Sequence, residues 1–319
     1  MYIDVFNGDA DGICALIQLR LAEPIINATL ISGVKRDTQL LNNVSVQAND
    51  LVTVLDVSLK KNRPALDNIL QQGAFVFYVD HHETGEIPIH PNLKTIINTK
   101  DITCTSLLVD HSLSGKYSAW ALTGAFGDNL MAKAEQLAKT LFLTTNQFKQ
   151  LKSLGTCINY NSYGSSIADL YFAPDKLYQS LAAYKSPFEF INDNPVIYEK
   201  LLSRYQEDMI QAQRITPEYK TDKVSVTILP DEAWARRVSG VLGNKLANLN
   251  PDQAQAVLSF NSQGGYLVSV RAPLTNPMGA DELCSLFNTG GGRKNAAGIN
   301  HLPFDQLSFF ISSFAAKYK

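Results

Sequence analysis

The chain has 319 residues, 45% of them hydrophobic and 18% charged, with a formal net charge of -2. That length suffices for two domains with cores of their own, and the balanced charge excludes a globally basic surface for tracking long nucleic acid. Cys14, Cys104, Cys157 and Cys284 are scattered without CxxC spacing and read as reduced thiols; with no basic leader and no apolar run of about 18 residues, the expected location is the cytoplasm.

In chain order, residues 2–6 form a strand that runs into Asn7, Gly8, Asp9, Ala10, Asp11 and Gly12, and residues 13–20 a mostly buried helix. Strand, acidic turn and helix open an α/β fold. Gly8 and Gly12 let the chain turn tightly and bring Asp9 and Asp11 together; two such carboxylates repel unless a cation lies between them, although a capped turn explains these residues equally well alone. Residues 28–34 form a second strand and 51–55 a clearer one ending at Asp56, after which a helix over 64–72 leads to the apolar run 74–78. That run ends in Val79, Asp80, His81, His82 and Glu83. Alternating strands and helices predict a parallel sheet, with Asp9, Asp11, Asp56, Asp80, His81 and His82 at its carboxyl edge, where ligands bind in open α/β sheets. Three acidic clusters there favour a divalent-metal site over a set of helix caps.

Helical spacing follows over 103–114, 116–126 and 132–143, with Asp128 in a glycine-flanked turn that suits a helix N-cap or a ligand. His90 and His111 lack ligand-like neighbours and read as structural or surface residues, and 147–177 shows no evident chemical role. Pro187, Pro195 and Pro217 punctuate a connecting region whose helix, 196–214, reads as exposed. The expected organisation is a catalytic domain over 1–185, a connector over 186–222 and a second domain over 223–319. In the last, strands over 224–229, 256–260 and 266–271 and helices over 234–249 and 281–287 precede Thr289, Gly290, Gly291, Gly292, Arg293, Lys294, Asn295, Ala296, Ala297 and Gly298. Glycines exposing backbone amides beside Arg and Lys suit an anion such as a phosphate; a flexible hinge is the plainer alternative.

These motifs, in this order, resemble the DHH phosphoesterase family with its smaller DHH-associated C-terminal domain: Asp9, Ala10, Asp11 and Gly12; Asp56; Asp80, His81 and His82; Asp128; then Arg271 after Val268, Ser269 and Val270, and the run 290–298. The resemblance implies an α/β fold, an N-terminal parallel-sheet DHH domain plus a smaller C-terminal α/β domain, with the active site in the cleft between them. It implies one or two Mn2+ or Mg2+ ions on Asp9, Asp11, Asp56, His81 and Asp128, with Asp56 bridging two ions, Asp80 orienting His81, and His82 facing the scissile phosphate. Arg271, Gly290, Gly291, Gly292 and Arg293 would hold the far end of the substrate. Two departures stand out. Many members carry a His ahead of the first Asp, where this chain has Val5 and Asn7, so Asn7 becomes an additional ligand candidate and two-ion occupancy is in question. Arg293 stands where the glycine run usually continues with His, which favours a terminal phosphate or a guanine edge.

The implied function is a metal-dependent phosphodiesterase of short nucleotides, foremost linear dinucleotides of the pGpG or pApA kind. Alternatives are a bisphosphorylated-nucleoside phosphatase, a RecJ-like single-strand exonuclease and, from another class, a nucleotide-binding regulator with weakened catalysis. The expected partner is a short nucleotide, with no long nucleic acid and no membrane; a homodimer is compatible with the sequence.

Overall fold

Short β-branched and aromatic runs separated by helices generate the first sheet, because strands buried on both faces need long crossovers to run parallel. In the computed structural model, which describes all 319 residues, the chain divides into two units, 1–162 with 166–202 and 163–165 with 203–319.

The first unit contains β1 (Tyr2–Phe6), α1 (Ala10–Ala22), β2 (Thr29–Ile31), β3 (Leu51–Leu55), α2 (Leu59–Gln71), β4 (Phe75–Asp80) and β5 (Leu93–Ile97). Its helical part comprises α3 (Thr105–Ser112), α4 (Ser118–Gly127), α5 (Met131–Thr140), α6 (Thr145–Asn161), α7 (Pro174–Leu181) and α8 (Pro187–Asp193), and α9 (Pro195–Ala212) crosses the boundary between the units. The five strands pair in parallel in the order β2-β1-β3-β4-β5. Ile3, Val5, Val52, Val54, Val76 and Tyr78 pack with Leu66, Ile69 and Leu70 of α2. Every residue of α1 from Ala10 to Leu19 is buried, so this helix lies within the unit and has no solvent-facing stripe there. It is tied to the sheet by Arg20, which donates to both Asp4 oxygens at 2.9 and 2.5 Å and to Thr53 Oγ1 at 2.9 Å. A charge inside a strand is tolerable only when paired in this way.

Helix α2 begins at Leu59, ahead of the Pro64 expected to open it. Pro64 deprives the Lys60 carbonyl of its helical donor, and Lys60 is exposed, so water can replace the bond. Strand β5 was not anticipated, and neither was the length of α6.

The second unit contains β6 (Tyr219–Lys220), β7 (Val224–Ile228), α10 (Ala233–Leu249), β8 (Ala254–Asn261), β9 (Gly265–Arg271), α11 (Ala280–Cys284), β10 (Gly290–Gly292), β11 (Ala296–Pro303) and α12 (Leu307–Lys317). Its sheet runs β10-β11-β9-β8-β7-β6, with β7 and β8 parallel and the other neighbours antiparallel. Val226, Leu258, Val268 and Ile299 form its core with Phe310 and Phe314 of α12. The glycine run is a β-hairpin, not an open loop: Gly290, Gly291 and Gly292 pair with Ile299, Gly298 and Ala297, and the Arg293 amide donates to the Ala296 carbonyl at 2.9 Å. Helix α9 is exposed along most of its length, as its charge pattern indicated, and is anchored at a few positions. Leu201, Met209 and Ala212 are buried, and Asp208 accepts from Arg237 at 3.0 and 2.9 Å. All four cysteines are buried thiols, and no helix is long and apolar enough to cross a membrane.

Candidate metal centre

Each acidic cluster lies just past the carboxyl end of a strand of the parallel sheet, as the alternation of elements requires. After β1, Asp9 is the N-cap of α1, and its Oδ1 accepts from the Asp11 and Gly12 amides at 3.0 and 3.1 Å. The capped turn weighed against a metal ligand is therefore present, and it leaves Oδ2 for another partner. Gly8 and Gly12 serve close approach and not an unusual turn, since neither has a positive φ. A Cβ on Gly8 would collide with the Gly33 carbonyl oxygen, and one on Gly12 with that of Asn7.

Asp11 faces the other way. Its two oxygens accept from the Thr105 and Ser106 amides, each at 2.7 Å, so it caps α3 and fixes that helix against the start of α1. After β3, Asp56 adopts a left-handed conformation with φ 58°, a region that Asp tolerates better than most residues. Its side chain is buried, and Thr105 Oγ1 donates to its Oδ1 at 3.3 Å. Burial, and then the charges of Asp9 and Asp11, push the Asp56 carboxyl well above the usual carboxylate range. Asp128 ends α4 as its C-cap, not the N-cap its setting had suggested.

These side chains converge on His81. Its Nε2 lies 3.2 Å from Asp56 Oδ1, 3.5 Å from Asp128 Oδ2 and 3.7 Å from Asp11 Oδ2. Its Nδ1 is 2.9 Å from the Thr103 carbonyl, which can only accept, so Nδ1 carries a proton and Nε2 is the ring atom turned to the three carboxylates. Three carboxylates gathered about one ring nitrogen repel one another unless a cation lies among them. The donor set of one imidazole and three carboxylates fits a divalent ion of the Mn2+ or Mg2+ type. A second grouping, Asp56, His81 and His82, also has its ligand atoms within 4.8 Å of one another.

Asp80 has a different partner from the one expected. The ring it holds is that of His82, whose Nδ1 lies 2.7 Å from Asp80 Oδ1, while the same oxygen accepts the His81 and His82 amides at 2.8 and 3.2 Å. His81 is oriented by the Thr103 carbonyl, a role that sequence reasoning missed because a main-chain acceptor has no residue signature. Burial raises the Asp80 carboxyl, but the charge and hydrogen bond of His82 and the charge of His81 outweigh it, and the net shift is downward. Asp80 Oδ2 is buried without a hydrogen-bond partner. The His82 side chain is 37% exposed, so with Nδ1 held its Nε2 is the ring atom available to a ligand.

Asn7 is engaged elsewhere: its Oδ1 accepts the Asp9 amide at 3.2 Å and its Nδ2 donates to the Lys35 carbonyl at 3.3 Å. Val5 is fully buried in the apolar core. Sequence reasoning also missed Lys35 and Asn159, which adjoin the cluster. In the second unit, Arg271 of β9 lies in register with Ala296 of β11, beside the 293–295 turn, and it donates to Asn244 Oδ1 at 2.7 Å and to the Val270 carbonyl at 3.0 Å.

A divalent ion that binds only the folded chain stabilises it by mass action, about 2.7 kcal/mol at a hundredfold excess over Kd. Millimolar Mn2+ should therefore raise the thermal midpoint and a chelator should reverse the rise, as followed by scanning calorimetry. An unchanged midpoint counts against the centre.

Fold and site together define an α/β protein with a cluster of carboxylates and imidazoles at the carboxyl edge of its parallel sheet. Residues 3–143 match the N-terminal domain of the DHH family. No curated protein matches the sequence. Among solved structures, the chain is similar to manganese-bound RecJ from Thermus thermophilus, with 19% identity, a TM-score of 0.64 and 99% of this chain aligned to 51% of that one. It is also similar to another manganese-bound RecJ exonuclease, at 17% identity, TM-score 0.51 and coverages of 99% and 89%. A pGpG-specific phosphodiesterase, PggH from Vibrio cholerae, aligns at 15% identity and TM-score 0.54 over 99% of this chain and 100% of that one. The chain spans about half the length of Thermus RecJ, and at these identities the likeness is one of fold.

Proposed function

We propose that the protein is a metal-dependent phosphodiesterase that hydrolyses short nucleotides, foremost linear dinucleotides with a 5′ phosphate, to mononucleotides. The observation that carries this reading is the convergence of Asp11, Asp56 and Asp128 on His81 Nε2, with the Asp80-held ring of His82 beside it. The match to the DHH domain and the likeness to nucleases and to a pGpG phosphodiesterase support phosphoester hydrolysis. A bound Mn2+ or Mg2+ would supply charge to the phosphate and lower the pKa of water. Asp11, Asp56, His81 and Asp128 would hold it. Asp80 keeps the His82 Nδ1 proton in place, leaving Nε2 to donate to a phosphoryl oxygen or to the departing ribose oxygen. The downward shift of Asp80 keeps that carboxylate an ionised acceptor for the His82 Nδ1 proton.

Length selection is assigned to the second unit, where Arg271, Gly290, Gly291, Gly292 and Arg293 would receive the terminal phosphate or base. A long strand of nucleic acid is disfavoured by the net charge of -2. The test is a panel of di- to pentanucleotides, cyclic dinucleotides and a bisphosphorylated nucleoside with Mn2+, read by product chromatography. Turnover of dinucleotides should exceed that of pentanucleotides at least tenfold, and Arg271→Ala should raise KM with little change in kcat. Equal rates on all lengths would point to an exonuclease of the RecJ kind, and no hydrolysis at all to a nucleotide-binding regulator.

A further inference from the structure

Four carboxylates meet at the carboxyl edge of the first sheet, but they do not share one centre. Asp11, Asp56 and Asp128 face His81 Nε2, whereas Asp9 turns its Oδ2 to the Lys35 ammonium. The same Nζ lies 3.4 Å from Asp128 Oδ1 and 3.0 Å from Asn159 Oδ1 of α6. Asp128 is thus shared, with Oδ1 toward Lys35 and Oδ2 toward His81.

The segment carrying Lys35 is built to stay there. Its amide donates to the Ser162 carbonyl at 2.8 Å, its carbonyl accepts from Asn7 Nδ2 at 3.3 Å, and the Val34 amide donates to Asp37 Oδ2 at 3.0 Å. Gly8 admits the Gly33 carbonyl to a distance that any side chain would block. Neither position ahead of Asp9 carries an imidazole: Val5 is in the core, and Asn7 turns both amide atoms to the backbone. A lysine ammonium is a compact point charge that can neutralise carboxylates in place of an ion.

We propose that Lys35 is the second cation of this centre, so that the protein takes one divalent ion, on Asp11, Asp56, His81 and Asp128, and holds Asp9 and the far oxygen of Asp128 with its own ammonium. The inference rests on the metal-centre reading above. Lys35 is a positioning residue: by fixing Asp128 Oδ1 it aims Oδ2 at the ion that His81 holds. It also makes part of the positive charge of the centre permanent, independent of the divalent-ion concentration around the protein.

Equilibrium dialysis against Mn2+ with elemental analysis, together with electron paramagnetic resonance of the bound ion, tests this on the full chain. The wild type should hold one Mn2+ with the spectrum of an isolated ion. Lys35→Met, which keeps the stem and removes the charge, should double the stoichiometry at saturation and show exchange coupling between ions, while Lys35→Arg should stay at one. If Lys35→Met fails a circular-dichroism check of folding, Lys35→Gln carries the same expectation. Two coupled ions in the wild type, or a folded Lys35→Met that still holds one, would overturn the Lys35 assignment and leave the phosphodiesterase reading standing. A wild type that binds no Mn2+ would overturn both.

Discussion

Asp56→Asn should abolish tight Mn2+ binding and lower turnover of a dinucleotide on the order of a thousandfold. A bound cation contributes several kcal/mol of transition-state charge stabilisation, and each 1.36 kcal/mol is a decade in rate. The substitution is isosteric, and Asn tolerates the left-handed φ of 58° at this position, so the backbone at the end of β3 is kept. The chain loses the carboxylate nearest His81 Nε2, at 3.2 Å, in a pocket too buried for water to replace it. Kinetics with and without added Mn2+, and elemental analysis of the dialysed variant, measure the two effects. Wild-type turnover with an intact ion would remove Asp56 from the centre.

His82→Ala should behave differently, losing about 10²- to 10⁴-fold in kcat, the range for a positioned general acid, while retaining its Mn2+. The division follows from geometry. His82 Nδ1 is held by Asp80 at 2.7 Å, whereas the three carboxylates that converge on a ring nitrogen converge on His81. Asp80→Asn should lose a smaller factor, about 10- to 100-fold, as outer partners of metal-site residues do, because the ring remains but its proton is less firmly placed. Loss of Mn2+ from His82→Ala would instead make His82 a ligand, through the alternative grouping of Asp56, His81 and His82.

The parallel sheet was legible because its strands are short apolar runs, and β1 and β3 have the bounds that the pattern predicts. The acidic residues were legible for the same reason: each follows such a run, and topology places those ends together. What adjacency in sequence could not decide was which side chain each neighbour would hold. Asp80 lies next to both imidazoles, and only the turn after β4 directs Oδ1 to His82. Lys35 and Asn159 carried no signal, since one follows a three-residue strand and the other lies on the buried end of a helix. The triglycine was read from composition as a loop, but pairing with β11 recruits it as an edge strand. As an edge strand it keeps alternate backbone amides facing outward, so an anion there would meet those amides together with the hairpin turn and Arg271.

Asp11 caps a helix 94 residues away, and Lys35 reaches Asn159 across 124. None of these links can form while the chain is short, and parallel pairing adds no local contacts to hold the intermediate. On a ribosome, Asp11 must therefore remain solvated until α3 has been made, and Lys35 must wait for Asn159 until α6 has been made. The most polar part of the unit is thus completed only after most of the unit has been made.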